Sequence, residues 1–382
     1  INPPTSPKKR QQQYDIEVGE NSMSVPQYDS DIGILERDKS YFKIKHDKDG
    51  NEQLMQISDF VITLRSTYVV ENKRNREAIF EKADGFKSSP ILVDSETKVS
   101  MKSFKAKVAD ACEGSFFGNE IDLQNVWRYI YKKSAQRVVN IPDYVGRLST
   151  KGEEGDWLFE NCYIRRDGEV VPPDKNGTMW VNGNTRGIRP KTLSSSLENA
   201  IYSDTVKDIP KMTYNMSPEE REQLTKVFCH MYAQNLGNVG KALLMIGWAM
   251  MNAYSDKIFP KYTFVPFLFG WGGFDTGKST LLKWLLALYD MHNHGYSTLP
   301  NLRSGVGMER KLAYYAALPV CIDELRAGKD MNEFSGRFRA WYNRSGRAMG
   351  ASNSYKEVVQ QEVRTNFVFG GQDIFTDDAL RS

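Results

Sequence analysis

The sequence predicts an α/β fold for its last third. Residues 261–382 read as a parallel sheet flanked by helices, led in by a helical segment at 201–260 and an α+β accessory domain at 26–200. Three observations carry this. A compact apolar run, Phe264 to Phe269, enters a glycine-rich turn and is followed by leucines at helical spacing, the order of a buried strand, a tight loop and a helix. A second apolar run, Leu318 to Ile322, ends in Asp323-Glu324. Upstream, stretches of period two and period 3.6 are mixed without an internal repeat.

With 382 residues the chain has room for two or three domains. At 40% hydrophobic and 26% charged residues, most of it should be globular and water-soluble. The net charge of +3 selects no partner class, so any basic surface must be local. Cys112, Cys162, Cys229 and Cys321 lack metal-finger spacing and the four histidines do not complete a set, which argues against a structural zinc. Such scattered cysteines suit a reducing compartment, here read as the cytoplasm. The longest apolar stretch, Ala242 to Ala253, is shorter than the roughly 20 residues of a membrane span, so no membrane is expected. A first residue Ile1 points to a piece of a longer chain.

Residues 1–25 are polar and read as a tail or linker, with Lys8-Lys9-Arg10 as a solvated basic run. Asp29 and Asp31 sit two apart, but one such pair in a polar stretch is read as surface, not as a metal site. Ser58 to Asn72 alternates apolar and polar residues and predicts a strand. Phe104, Val108 and Ala111 predict a helix over 102–112, and Val126, Tyr129 and Ile130 another over 123–135. Two short strands are expected around the Asp167-Gly168 turn. The domain boundary is placed between Lys191 and Asn215, in polar sequence carrying Pro210.

Ser217-Pro218-Glu219-Glu220 is a helix start: an N-cap serine, proline in the first turn, then acids at the positive end. Leu224, Val227, Phe228 and Met231 share a face. Gly237 and Gly240 should break this segment before a very apolar helix whose Met245, Met250 and Met251 are taken as core.

Gly272-x-x-x-x-Gly277-Lys278-Ser279 is the Walker A, or P-loop, pattern, and its flanks have the strand and helix that the pattern requires. Glycines let the backbone curl so that successive N–H groups point inward at phosphate oxygens, and the helix start adds its positive end. Gly272, Gly273, Phe274, Asp275, Thr276, Gly277, Lys278, Ser279 and Thr280 would then surround the phosphates of ATP. Lys278 should reach the β- and γ-phosphates, and the Ser279 hydroxyl should bind Mg2+. Asp323, 45 residues after Lys278, emerges at the end of a strand expected to neighbour the first. It should hold Mg2+ through its water shell, while Glu324 orients and deprotonates the attacking water. Gly295 to Leu302 and Gly307 to Ala317 are read as the intervening strand and helix.

In this order of motifs the chain resembles the superfamily 3 helicases, AAA+ proteins of viruses, phages and plasmids. The resemblance spans about Leu243 to Ser382: an apolar helix, Walker A, a close Asp-Glu strand, a basic hairpin region, then a strand ending in an amide. It implies a polar sensor at Gln372, where the family usually has asparagine. It implies a pore hairpin whose tip, Tyr355 and Lys356, faces DNA, the lysine toward phosphate and the tyrosine toward a base. It implies that Arg381, or a residue just beyond Ser382, reaches the γ-phosphate of a neighbouring subunit. From Arg326 to Arg364 eight basic residues outnumber four acids, so the positive excess lies where the pore should be. The implied activity is an ATP-dependent replicative DNA helicase or translocase, acting on single-stranded or forked DNA as a homo-hexameric ring, as part of a phage or viral primase–helicase. The motifs leave two alternatives open: another P-loop DNA motor for packaging or transposition, or an initiator that uses ATP only to assemble on DNA.

Overall fold

The computed structural model describes residues 27–134, 137–149, 153–193, 195–203, 207–236, 239–298, 305–326, 329–350 and 358–373. The expected tail at 1–25 lies outside these. The chain divides into two compact units, one of residues 1–64 and 78–134, the other of 65–77 and 135–382.

The first unit is α+β. An antiparallel sheet runs in chain order through Gln27–Asp29, Ile34–Arg37, Ser40–His46 and Glu52–Gln56. The helices Met101–Cys112 and Glu120–Lys133 stand where the 3.6-residue spacing puts them. Each is started by a side chain that accepts a backbone N–H, Ser100 in the first and Asn119 in the second, the latter in a reciprocal capping box with Asp122. Their inner faces bring Phe104, Val126 and Trp127 onto Phe60, Phe80 and Phe116. Asp29 and Asp31 both face Lys132, at 2.6 and 3.7 Å.

The expected boundary at 191–215 does not separate the two units, because residues 135–200 share one core with residues 207–369. Backbone pairing ties them: Tyr315–Ala316 runs parallel to Val145–Gly146. Gly146 has φ +93°, and a Cβ there would stand 2.1 Å from the Ala316 carbonyl, so only glycine permits this approach. The Tyr315 hydroxyl donates to the Asp208 carbonyl at 2.7 Å and the Asn252 amide to that of Ala317 at 2.9 Å. This pairing also ends the helix expected over 307–317 at Tyr314.

The helical segment is Pro218–Leu236 and Val239–Asn252. Ser217 and Glu220 cap the first reciprocally, at 3.1 and 2.8 Å. Phe228 packs beside Leu281, whereas Leu224 and Val227 are exposed; the Met231 side chain lies outside the described residues. In the second helix Met245 and Met251 pack on the core but Met250 is 67% exposed, which corrects its reading as core. At about 100° per residue Met250 lies some 140° around the helix from Met245, on the outer side with Leu243. Among the described residues, no helix is long and apolar enough to cross a membrane.

The last third is a four-stranded parallel sheet flanked by helices. In spatial order its strands are a loop strand (Leu268–Trp271), a glycine strand (Phe367–Gly371), an acidic strand (Val320–Leu325) and an edge strand (Tyr296–Thr298). The acidic strand is therefore not adjacent to the loop strand as expected; the glycine strand lies between. One face of the sheet is aromatic: Phe367 and Phe369 stack on each other, Phe367 stacks on Trp341 of the helix Lys329–Tyr342, and Phe338 and Phe267 meet these rings edge to face. The opposite face receives the loop helix (Lys278–Ala287) through Leu282, Leu285 and Leu286.

Candidate active site

The loop strand and loop helix are joined by Gly272 to Gly277. Two residues of this turn have left-handed backbones, Asp275 (φ 59°) and Gly277 (φ 76°), which bends the chain sharply into the helix. Gly277 offers no side chain to cap that helix, so the N–H groups of its first turn keep their partial positive charge for another partner. Lys278 lies folded over the loop: its Nζ donates to the Gly273 carbonyl and, at 3.3 Å, to Thr276 Oγ1. Its stem passes Gly272, where a Cβ would be 3.5 Å from Lys278 Cδ and 3.2 Å from Thr276 Oγ1. Phe274 stands out from the loop, 85% exposed.

Two glycines decide how close the loop helix comes to the sheet. Gly270 and Gly370 are register partners on neighbouring strands, and their missing side chains make a notch for Leu282. A Cβ at Gly370 would be 2.6 Å from Leu282 Cδ1 and 2.2 Å from Asp323 Oδ1. Adjacent strands are about 4.8 Å apart, so a carboxylate on the acidic strand must cross the glycine strand to meet the loop helix. The gap at Gly370 is that crossing. The acidic strand has a register shift between Ile322 and Leu325, with Glu324 at φ 62°, a bulge that turns the Asp323-Glu324 pair at the strand end.

Asp323 is 2% exposed and sits at the convergence of three elements. Its Oδ2 accepts from Ser279 Oγ and from the Tyr296 hydroxyl, each at 2.5 Å, and its Oδ1 accepts from the Glu324 backbone N–H at 2.8 Å. All three donors are neutral, and among the described residues no lysine or arginine pairs with it. A buried carboxylate without a countercharge is costly, and a bound cation would offset that cost. Tyr296 is half-buried; burial, then the hydrogen bond to Asp323, raises its pKa above the usual phenol value.

A cavity of about 320 Å³ opens beside these groups, lined by residues 274–280, Asp323 to Arg326, Gly371 and Gln372. Lys278, Ser279, Asp323, Glu324 and Gln372 thus share one cavity. Gln372 follows the end of the glycine strand, and its carbonyl accepts from Trp271 Nε1 at 2.9 Å. Sequence reasoning had not placed Arg326 or Tyr296 at this site, nor recognised the need for Gly370. The paired glycines inside a strand were a signal, since glycine there marks a close approach. Tyr296 had none, because its role comes from a pairing 27 residues distant.

Ser279 and Asp323 supply two hard oxygen ligands, a set that fits Mg2+, which keeps waters and substrate phosphates in its remaining positions. Among the described residues no group of three or more His, Cys, Asp or Glu gathers as a metal cage. The strands Ser345–Gly350 and Val358–Glu362 form an antiparallel hairpin. Its expected tip residues, Tyr355 and Lys356, and the expected Arg381 lie outside the described residues.

No protein-family model matches the chain, and no curated protein does. Solved structures give weak likenesses. One is described as the SCCmec type IV Cch active helicase, at 12% identity and a TM-score of 0.46, covering 91% of this chain and 57% of that one. Two are apo A-form structures of the NrS-1 C-terminal region, at 13% and 12% identity and TM-scores of 0.28 and 0.29, each covering 81% of this chain and 54% of that one. The chain spans a little over half the length of these structures. All three scores lie below 0.5.

Proposed function

We propose that the second unit is a P-loop NTP hydrolase of AAA+ type and that the protein works as an ATP-dependent DNA helicase or translocase. The observation that carries the hydrolase reading is the Ser279 hydroxyl at 2.5 Å from the buried Asp323 carboxylate, beside a glycine-rich loop that ends in Lys278. The uncapped helix start and the loop amides bind phosphate, and Lys278 leaves the Gly273 carbonyl to meet it. Ser279 and Asp323 hold Mg2+, whose charge, when bound, offsets that of the β- and γ-phosphates. Glu324, exposed on the cavity wall next to Asp323, takes a proton from water as the water oxygen bonds to the γ-phosphorus. The bond from that phosphorus to the bridging oxygen breaks, releasing ADP and inorganic phosphate. Gln372 lines the same cavity and orients the water or the γ-phosphate.

The motor reading rests on the resemblance in motif order and on the basic segment from Arg326 to Arg364. Tyr355 and Lys356 contact single-stranded DNA, and Arg381 completes a neighbour's site in a ring. Phosphate release stimulated by single-stranded DNA, and strand displacement on a forked duplex that Lys356→Ala abolishes, are the expected results. Hydrolysis indifferent to DNA, with displacement untouched by Lys356→Ala, would sink the helicase reading and leave the hydrolase.

A further inference from the structure

Tyr296 has a place in the site that the proposed hydrolysis does not use. It stands on the edge strand opposite Cys321, with Thr298 opposite Asp323, so the phenol lies diagonally across the pair from the carboxylate and on the same face. From there it donates to the oxygen that also accepts from Ser279. Its ring carries the Lys283 ammonium at 4.7 Å from the centroid. Ser279 and Lys283 are four residues apart on the loop helix, hence on one side of it. One stripe of the helix therefore touches Asp323 directly and, through Lys283, the ring whose hydroxyl touches Asp323.

A carboxylate turns easily about its last torsion. Here Oδ1 is fixed by the Glu324 N–H and Oδ2 by two hydroxyls. The two hydroxyls are not equivalent. Ser279 belongs to the phosphate loop and has a ligand to serve, whereas Tyr296 lies outside the cavity lining and donates its hydroxyl to the carboxylate. Resting on the nucleotide reading above, we propose that Tyr296 is a positioning residue: its O–H holds Asp323 facing Ser279, and the Mg2+-dependent part of nucleotide binding depends on it.

The test uses the whole chain and a fluorescent, slowly hydrolysed ATP analogue, with affinity measured in EDTA and across a Mg2+ titration. Tyr296→Phe removes one hydroxyl and keeps the ring under Lys283. Its affinity in EDTA should equal the wild-type value, which also controls for folding. The Mg2+ concentration giving half of the gain in affinity should rise about ten- to a hundredfold, the cost of one hydrogen bond to a charged group. Should Tyr296→Phe not fold, Lys283→Met, which removes only the cation over the ring, should shift the Mg2+ midpoint in the same direction by a smaller factor. A folded Tyr296→Phe with the wild-type Mg2+ midpoint overturns the proposal, as does an unchanged midpoint in Lys283→Met if that variant stands in for it. A wild-type chain that binds no nucleotide with or without Mg2+ overturns the nucleotide reading itself, an outcome distinct from a silent Tyr296→Phe.

Discussion

Each unit buries a carboxylate, and the two differ in what surrounds it. In the first unit Asp122 is 6% exposed, pairs with Lys43 at 2.6 Å and accepts the Asn119 N–H at 2.9 Å, so its charge and its lone pairs are both answered. In the second unit Asp323 is buried more deeply and is answered by two hydroxyls and one amide. The first arrangement is complete and holds a helix start to a strand. The second lacks a positive charge and lies at the mouth of a cavity beside an uncapped helix. Burial alone does not separate Asp122 from Asp323; the charge of the partner does.

Substitutions should split along that line. The largest expected effect is Asp323→Asn, which should lower phosphate release from ATP by about two to three orders of magnitude, the scale of losing a group that stabilises charge in the transition state. Its melting temperature should hold or rise, because a buried unpaired charge is removed. Asp122→Asn should do the reverse, lowering the melt and sparing turnover per folded molecule. Gly370→Ala should follow, with loss of turnover and of about 1–3 kcal/mol of stability, since the added Cβ meets Asp323 and Leu282 together. A denaturant melt alongside the phosphate assay checks both variants.

Lys43→Met comes next: it leaves Asp122 buried without its cation and should cost about 1–3 kcal/mol by the same melt, with nucleotide affinity per folded molecule unchanged. The smallest effect concerns pH. Asp29, held low by Lys132, and Glu81, held low by Lys39 and then Lys87, are first-unit carboxylates with depressed pKa values. Their contribution is full above the ordinary carboxylate range and is lost as pH falls through the lowered values. Amide protection factors in residues 120–133, normalised for intrinsic exchange at each pH, should therefore fall modestly below about pH 4. No change in protection there would show that these surface pairs do not support the first unit.

Many of the residues that meet at the candidate site could be found along the chain because their patterns are local. The loop from Gly272 to Ser279 and the run into Asp323-Glu324 are contiguous, and strand, turn and helix periods are visible over a few residues. The strand order could not be read that way. The assumption that the acidic strand adjoins the loop strand ignored a strand contributed by residues nearly 100 positions after the loop strand. Gly370 and Tyr296 acquire their parts only from that order, one as the gap Asp323 crosses and the other from the far side. Met250 was misjudged for a different reason: composition reports how apolar a helix is, but not how much of its circumference the chain covers. The share of residues 135–200 in the second core likewise depends on a two-residue parallel pairing that no local pattern announces.

The most direct measurement is the affinity of the chain for a slowly hydrolysed ATP analogue, with and without Mg2+, in wild type and in Asp323→Asn. The account predicts that Mg2+ tightens binding to the wild type and that Asp323→Asn removes this gain while keeping its affinity in EDTA. Wild-type binding that ignores Mg2+, or an Asp323→Asn chain that responds to Mg2+ as the wild type does, would contradict it.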